Sequence, residues 1–224
     1  MAKTRTTVLL FGVFGLLLLN TLPLFGQTEL VYAQGSVTVH RGNSTVTPDI
    51  GATLEQGDIL STGPGATAII RLNGSTEVKM REKTQFRIET LGTNTMVNLE
   101  RGGLFSNIVG KLQGSFSVRT GMVVAGVRGT QFFVAYGRTV DNSPDVWLCV
   151  NRGTVAVSVE GTKQSVDVPG GKGINILGGL KITPPKSYDW TKKLNWNMDP
   201  GKAPVKDTTN LNQAYADLLN QDYD

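Results

Sequence analysis

An all-β fold is predicted for this sequence by three features. From Val31 to Ile182 β-branched residues alternate with polar ones at period two, glycine-rich breaks recur at short intervals, and no sustained helical stripe runs through the stretch. Such a pattern describes a distorted stack of short strands, or a sandwich, followed by a short C-terminal helix.

The strands predicted in order are Ser36–His40, Thr67–Leu72, Glu77–Met80, Gln85–Glu89, Thr95–Leu99, Ser115–Arg119, Gln131–Tyr136, Val146–Val150, Thr154–Glu160 and Gln164–Val168. Between them stand Gly51, Gly57, Gly63-Pro64-Gly65, Asn73-Gly74, Gly92, Gly102-Gly103, Gly161 and Gly170-Gly171. Glycine there supplies backbone angles that other residues resist. A faint repeat, apolar-x-Arg-Gly, recurs at Val39–Gly42, Leu99–Gly102 and Val150–Gly153. Its unequal spacing argues against a strict repeat array.

Upstream of this body, Lys3 and Arg5 precede an uninterrupted apolar run, Val8–Leu19. Charge followed by a run of about a dozen hydrophobes is the order of a secretory signal, and the run is shorter than the ~20 residues that span a bilayer. Residues 1–26 are therefore expected to be a cleaved signal, cut near Gly26 or, less favourably, at Ala33. Without Lys3 and Arg5 the chain keeps 20 of its 22 Lys+Arg against 18 Asp+Glu, a net of +2. That balance does not suit the dense phosphate neutralisation of a nucleic-acid binder. Cys149 is the only cysteine, which excludes both an internal disulfide and a lipid anchor on an N-terminal cysteine. A periplasmic or surface-associated protein without a transmembrane helix after cleavage is the expectation.

Downstream, Pro184-Pro185, Pro200 and Pro204 among polar residues predict an extended linker over 183–207, on the surface or free in solution. Residues 208–220 then read as a short amphipathic helix. Leu211, Ala214, Tyr215, Leu218 and Leu219 recur at helical spacing, and Thr208 or Thr209 caps the start. A helix this short needs a surface to dock on.

Reactive side chains are scarce. His40 is the only histidine and sits at a strand end, whereas Cys149 lies inside the apolar strand Val146–Val150. No Cys/His spacing suits zinc, and Asp141-Asn142-Ser143-Pro144-Asp145 is ordinary turn chemistry rather than a calcium loop. No catalytic residue, cofactor or metal is assigned. Along Glu77–Glu89, alternation places Lys79, Arg81 and Arg87 on one face as a candidate basic strip for an anionic polymer, with Lys83 joining if the turn near Thr84 keeps the register. Trp190 and Trp196, beside Lys192 and Lys193, could stack on sugars or pack on the domain.

The block Thr120–Val134, with its Val127-Arg128-Gly129-Thr130-Gln131-Phe132 core, resembles the most recognisable stretch of the FecR-type domain family. Leu54-Glu55-Gln56-Gly57-Asp58, Leu72-Asn73-Gly74-Ser75 and Val150–Val155 are similar to other family blocks in the same order. The resemblance covers Val31 to Ile176 and implies a FecR-like domain over 31–182, a twisted, solenoid-like all-β module. Thr120, Val127, Arg128, Gly129, Thr130 and Phe132 are read as holding a corner, Gly126 and Gly129 permitting the bend and Arg128 donating to carbonyls there.

The family's best-known members are membrane-spanning regulators that carry an envelope signal to a cytoplasmic sigma factor. Only seven residues precede the apolar run here, and the tail after Ile182 is short and polar. The expectation is an extracytoplasmic module without the cytoplasmic and signalling domains: a non-catalytic binding or scaffold unit whose partner is an envelope protein or a cell-wall polymer.

Overall fold

The computed structural model describes residues 26–109, 114–127, 129–140 and 143–214. Sixteen strands run through them. They are β1 (Glu29–Gln34), β2 (Val37–Arg41), β3 (Ser44–Val46), β4 (Ile59–Thr62), β5 (Thr67–Leu72), β6 (Thr76–Met80), β7 (Gln85–Thr90) and β8 (Asn94–Ile108), followed by β9 (Ser115–Thr120), β10 (Val123–Val127), β11 (Gln131–Val140), β12 (Ser143–Arg152), β13 (Thr154–Val159), β14 (Ser165–Pro169), β15 (Gly173–Leu177) and β16 (Lys181–Ile182).

The strands pair into two layers that share β8. One layer runs β1-β5-β6-β8-β11-β12-β15-β16 and uses the second half of β8. The other runs β3-β2-β4-β7-β8-β9-β10-β13-β14 and uses the first half. All pairings between these strands are antiparallel except β8 with β9. Alternate side chains from both layers meet in one core. Val78, Leu104, Phe132 and Leu148 come from the first layer, and Leu60, Phe86, Val97 and Phe116 from the second. The period-two pattern of the sequence is the trace of this single inward face.

The chain passes between layers at corners that stack on one another. Gly63 N–H donates to Ser36 O, Lys83 N–H to Gly63 O, and Gly103 N–H to the Thr84 hydroxyl. These corners lie along one edge. At β8 the chain changes edge, and the later corners at Gly129–Thr130, Gly153 and Gly170-Gly171 contact each other on the opposite side. Two of the three Arg-Gly repeats thus mark layer crossings, at Gly102 (φ +94°) and Gly153 (φ +84°), while Gly42 turns the β2–β3 hairpin.

Past β16 the chain does not leave the body. Residues 186–214 form a strap along the outer face of the first layer, where the sequence predicts a linker. The strap starts at a bridge between Lys186 and Gly173, makes a 3₁₀ turn at Asp189–Lys193, and ends in the helical residues Leu211–Ala214. Among the described residues no helix is long and apolar enough to cross a membrane.

Candidate functional site: the strapped face of the first layer

Side chains that alternate away from the core normally meet water on one side of an antiparallel sheet, and are polar for that reason. Here the outward positions of β8, β11 and β12 hold Phe105, Phe133, Ala135, Trp147 and Cys149, all buried. The strap covers them with Tyr188, Leu194, Met198 and Ala214, and Trp196 and Leu211 pack at the margin. Phe105 lies 4.6 Å from Phe133 and meets Trp196 edge-on at 5.3 Å, ring centre to ring centre. Gly173 lets Tyr188 approach closely, because a Cβ there would sit 3.0 Å from both the Tyr188 ring and Leu148 O.

Two cations fasten the strap. Lys79 is 1% exposed, and its ammonium donates to the carbonyls of Asn195 (2.6 Å) and Asn197 (2.7 Å) while standing 4.3 Å over the Phe105 ring. Arg81 Nε lies 2.8 Å from Asp207 Oδ2, and Arg81 Nη2 donates to Thr209 O at 2.7 Å. The first is a charge contact without good hydrogen-bond alignment, which leaves Oδ1 as the well-bonded oxygen of Asp207. That oxygen accepts from Asn195 N–H and the Thr209 hydroxyl, each at 2.9 Å. Asn195 and Asn197 also close the loop between them and Lys206, donating to Pro204 O, Lys206 O and Ala203 O. Side chains thus satisfy several of the strap's backbone groups, Asn195 N–H and the carbonyls of Ala203, Pro204 and Lys206, in place of a strand partner.

Burial lowers the Lys79 pKa to about 8 from an ordinary 10.5; Asp207 opposes the shift and Arg81 adds to it. Burial likewise lowers Arg81, with Asp207 opposing. Between pH 8 and 10.5 the unfolded chain holds a proton on Lys79 that the native chain has released, so rising pH favours the native state. Stability of the wild type relative to Lys79→Met is expected to rise by about 3 kcal/mol across that window. Urea unfolding of both proteins from pH 7 to 10.5 reads this directly. A difference that stays flat, or falls with pH, contradicts it.

The candidate basic strip does not assemble. The chain crosses layers at Glu82–Thr84, with Lys83 at φ +54°, so Lys79 and Arg81 lie under the strap while Arg87 faces outward from the second layer, 3.5 Å from Glu100. The crossing breaks the register that alternation assumed. Of the central block, Thr120, Val127, Thr130 and Phe132 are buried, and Gly129 turns the chain at φ +63°. Gly126 lies within β10, paired with Ser117 and Ala156. Arg128 is outside the described residues. So are Tyr215, Leu218 and Leu219, whereas Leu211 and Ala214 pack on the sheet. The Trp196 indole donates to Thr191 O at 3.1 Å, and Trp190 falls in the 3₁₀ turn with its side chain outside the described residues.

The remaining chemical candidates are separated from one another. His40 Nδ1 is 2.9 Å from the Thr45 hydroxyl on the exposed β2–β3 hairpin. Arg41, in the same strand, grips the fully buried Asp58 through two 2.7 Å contacts, which ties down the Gly57-Asp58 turn. Asp145 accepts from Gly178 N–H at 2.7 Å and so holds the β15–β16 turn, while Asp141 and Asn142 are outside the described residues. Among the described residues no three His, Cys, Asp or Glu side chains are placed to hold a metal. Cys149 is fully buried, and burial pushes its thiol well above the ordinary value. Native protein is therefore expected to resist a disulfide reagent for hours and to react within seconds to minutes once unfolded. Stoichiometric labelling of the native chain on mixing would contradict this.

Asp207, which binds strap to sheet, escapes the sequence reading. Its only local signal is Asp207-Thr208-Thr209 before a helical pattern, which reads as a cap. Its partner Arg81 is 126 positions away.

Residues 58–156 match the family described as FecR protein. No curated protein matches the chain. Two crystal structures, at 1.65 and 2.50 Å, of a protein titled "a putative anti-sigma factor" from Parabacteroides distasonis are similar at a TM-score of 0.48 and 21% identity. The match covers 58% of this chain and 59% of that one. The family region runs from Asp58 into the start of β13 and takes in the corners at Lys83, Gly102, Gly129 and Gly153; the strap lies beyond it. Over residues 58–156, a little under half of its length, this chain is thus similar to the FecR family.

Proposed function

We propose that the chain is a non-catalytic, extracytoplasmic binding or scaffold module of the cell envelope, of the regulatory type that FecR domains represent, with an envelope protein as its partner. The observation that carries the reading is the match of residues 58–156 to the FecR family. The thin set of reactive groups supports it: the single histidine stands on an exposed hairpin and the single cysteine is sealed in a core. Lys3, Arg5 and the apolar run Val8–Leu19 support export. Cleavage near Gly26 leaves β1 whole, whereas cleavage after Ala33 would remove five of its six residues, including the fully buried Leu30.

Fractionation of cells expressing the full chain tests the placement. The expected product is extracytoplasmic and lighter by about the first 26 residues; an intact N-terminus in the cytoplasm overturns it. Purified chain incubated with cell-wall polymer is expected to release no new reducing ends. Turnover there would overturn the non-catalytic reading.

A further inference from the structure

We propose that the groove between the strap and the β6–β7 corner is a binding site for an acidic oligosaccharide. The proposal rests on the reading of the chain as a binding module and names the chemistry that one of its surfaces would take. The groove has a volume of about 750 Å³, within the range of small-molecule sites. Gly102, Gly103 and Gly137 line it without side chains and leave it open.

Three cations reach it from three separate elements: Lys83 from the β6–β7 corner, Arg101 from β8 and Lys206 from the strap. All three are exposed, and none has a carboxylate partner among the described residues. The groove's acids are already engaged. Asp207 pairs with Arg81, Asp145 accepts from Gly178 N–H, and Glu82 accepts from Gly65 N–H at 2.6 Å. The lining's cations, Arg81, Lys83, Arg101 and Lys206, outnumber its carboxylates, Glu82, Asp145 and Asp207, by one, and of those acids only Glu82 is exposed beside the three exposed cations.

Lys83 adds a second, independent observation. It holds φ +54°, a backbone conformation that penalises any residue with a Cβ and that glycine would adopt freely. Strain of this kind clusters at functional sites, and here, at a corner held by the Lys83 N–H bond to Gly63 O, the side chain borders the groove.

The occupant follows from the rest of the lining. Thr208 offers a hydroxyl and Asn210 its amide N–H groups, its Oδ1 already accepting from Asn212 and Gln213 N–H; both pair with sugar hydroxyls. Trp147 is buried and the half-buried Tyr136 packs on the core, so the groove offers little ring surface on which a nucleobase could stack. The site is concave and its lining is about half polar, with three exposed cations, so neither a flat lipid surface nor a wholly apolar protein anchor matches it. A carboxylate or phosphate on a saccharide does, the acid on the three cations and the hydroxyls on the strap.

Calorimetric titration of the full purified chain tests the site with a galacturonate hexamer, a phosphorylated mannose oligomer, neutral mannose oligomer and phosphatidylglycerol vesicles. Saturable binding of at least one acidic oligomer is expected, together with at least tenfold weaker binding of the neutral one. Which acid binds identifies the group. Lys83→Gly is expected to weaken binding at least tenfold without lowering the melting temperature, since glycine relieves the strain; Arg101→Gln should weaken it similarly. Binding of neither acidic oligomer overturns the proposal, as does full affinity in the Lys83→Gly, Arg101→Gln double variant. Preference for the vesicles overturns it in favour of a membrane. The titration does not depend on where the cell places the chain, so its failure and a failure of export are separate results.

Discussion

Asp207→Ala is expected to destabilise the protein by about 3–5 kcal/mol, the usual result of removing one member of a buried ion pair. The loss has three parts. Arg81 keeps a buried charge whose nearest carboxylate is gone, since its side chain is only 9% exposed. The Asn195 N–H loses its acceptor, and with it the loop that presents the Asn195 and Asn197 carbonyls to Lys79 is loosened. The Thr209 hydroxyl loses one of its two acceptors. Asp207→Asn keeps an acceptor for Asn195 and removes only the charge, so it should cost less. Urea unfolding measures both, and Cys149 beneath the strap supplies a local readout. If the strap lifts before the sandwich melts, Cys149 in Asp207→Ala becomes reactive at urea concentrations where the circular dichroism is still native. A change within about 0.5 kcal/mol would mean that Arg81 and Asp207 are solvated in solution and do not fasten the strap.

The strands were largely legible because each layer buries one face, and one buried face writes itself as alternation. Ser115–Arg119, Thr154–Glu160 and Gln164–Val168 each fall within a residue or so of a strand in the structure. β8 shows what alternation hides. Its predicted end at Leu99 reflects the break at Gly102-Gly103, which in the structure is a bend inside one continuous strand, where the partner changes from β7 to β6 and β11. Local sequence carries the bend but not the change of partner.

The site was legible only in part, for a related reason. Alternation assigns Lys79 to the face opposite Val78 and Met80, and that is where it lies. Whether such a face meets water depends on a segment more than a hundred residues away. The apolar contacts of that segment, Tyr188, Leu194, Met198 and Val205, follow no period because no regular element carries most of them. Its backbone is satisfied by asparagine side chains, so composition alone reads as linker. A buried lysine is unusual enough that its covering layer must supply acceptors, and only the fold shows that these are main-chain carbonyls.

Gly102→Ala should be among the most damaging conservative substitutions in the family-matched region, costing about 4 kcal/mol or more and leaving little folded protein at 37 °C. At φ +94° an alanine is strained whatever the space around it, and here there is none, because its Cβ would lie 2.5 Å from Thr84 Cα. Thr84 cannot retreat. Its N–H donates to the Thr62 hydroxyl at 3.0 Å, its hydroxyl accepts from Gly103 N–H at 3.0 Å, and its carbonyl accepts from Thr62 N–H at 2.9 Å. Gly42, the same element of the Arg-Gly repeat, supplies the control. It too has positive φ, at +57°, but nothing lies within 4 Å of an added Cβ, so Gly42→Ala should cost only the conformational penalty of about 1–2 kcal/mol. Denaturant unfolding of the pair therefore sets a position with left-handed strain alone, Gly42, against one where a larger φ and the close approach of two corners act together, Gly102. Equal losses would mean that the corner relaxes without cost. In that case the stacked corners would not be what holds the two layers in register, and the groove that Gly102 lines would owe its shape to the strap rather than to the domain.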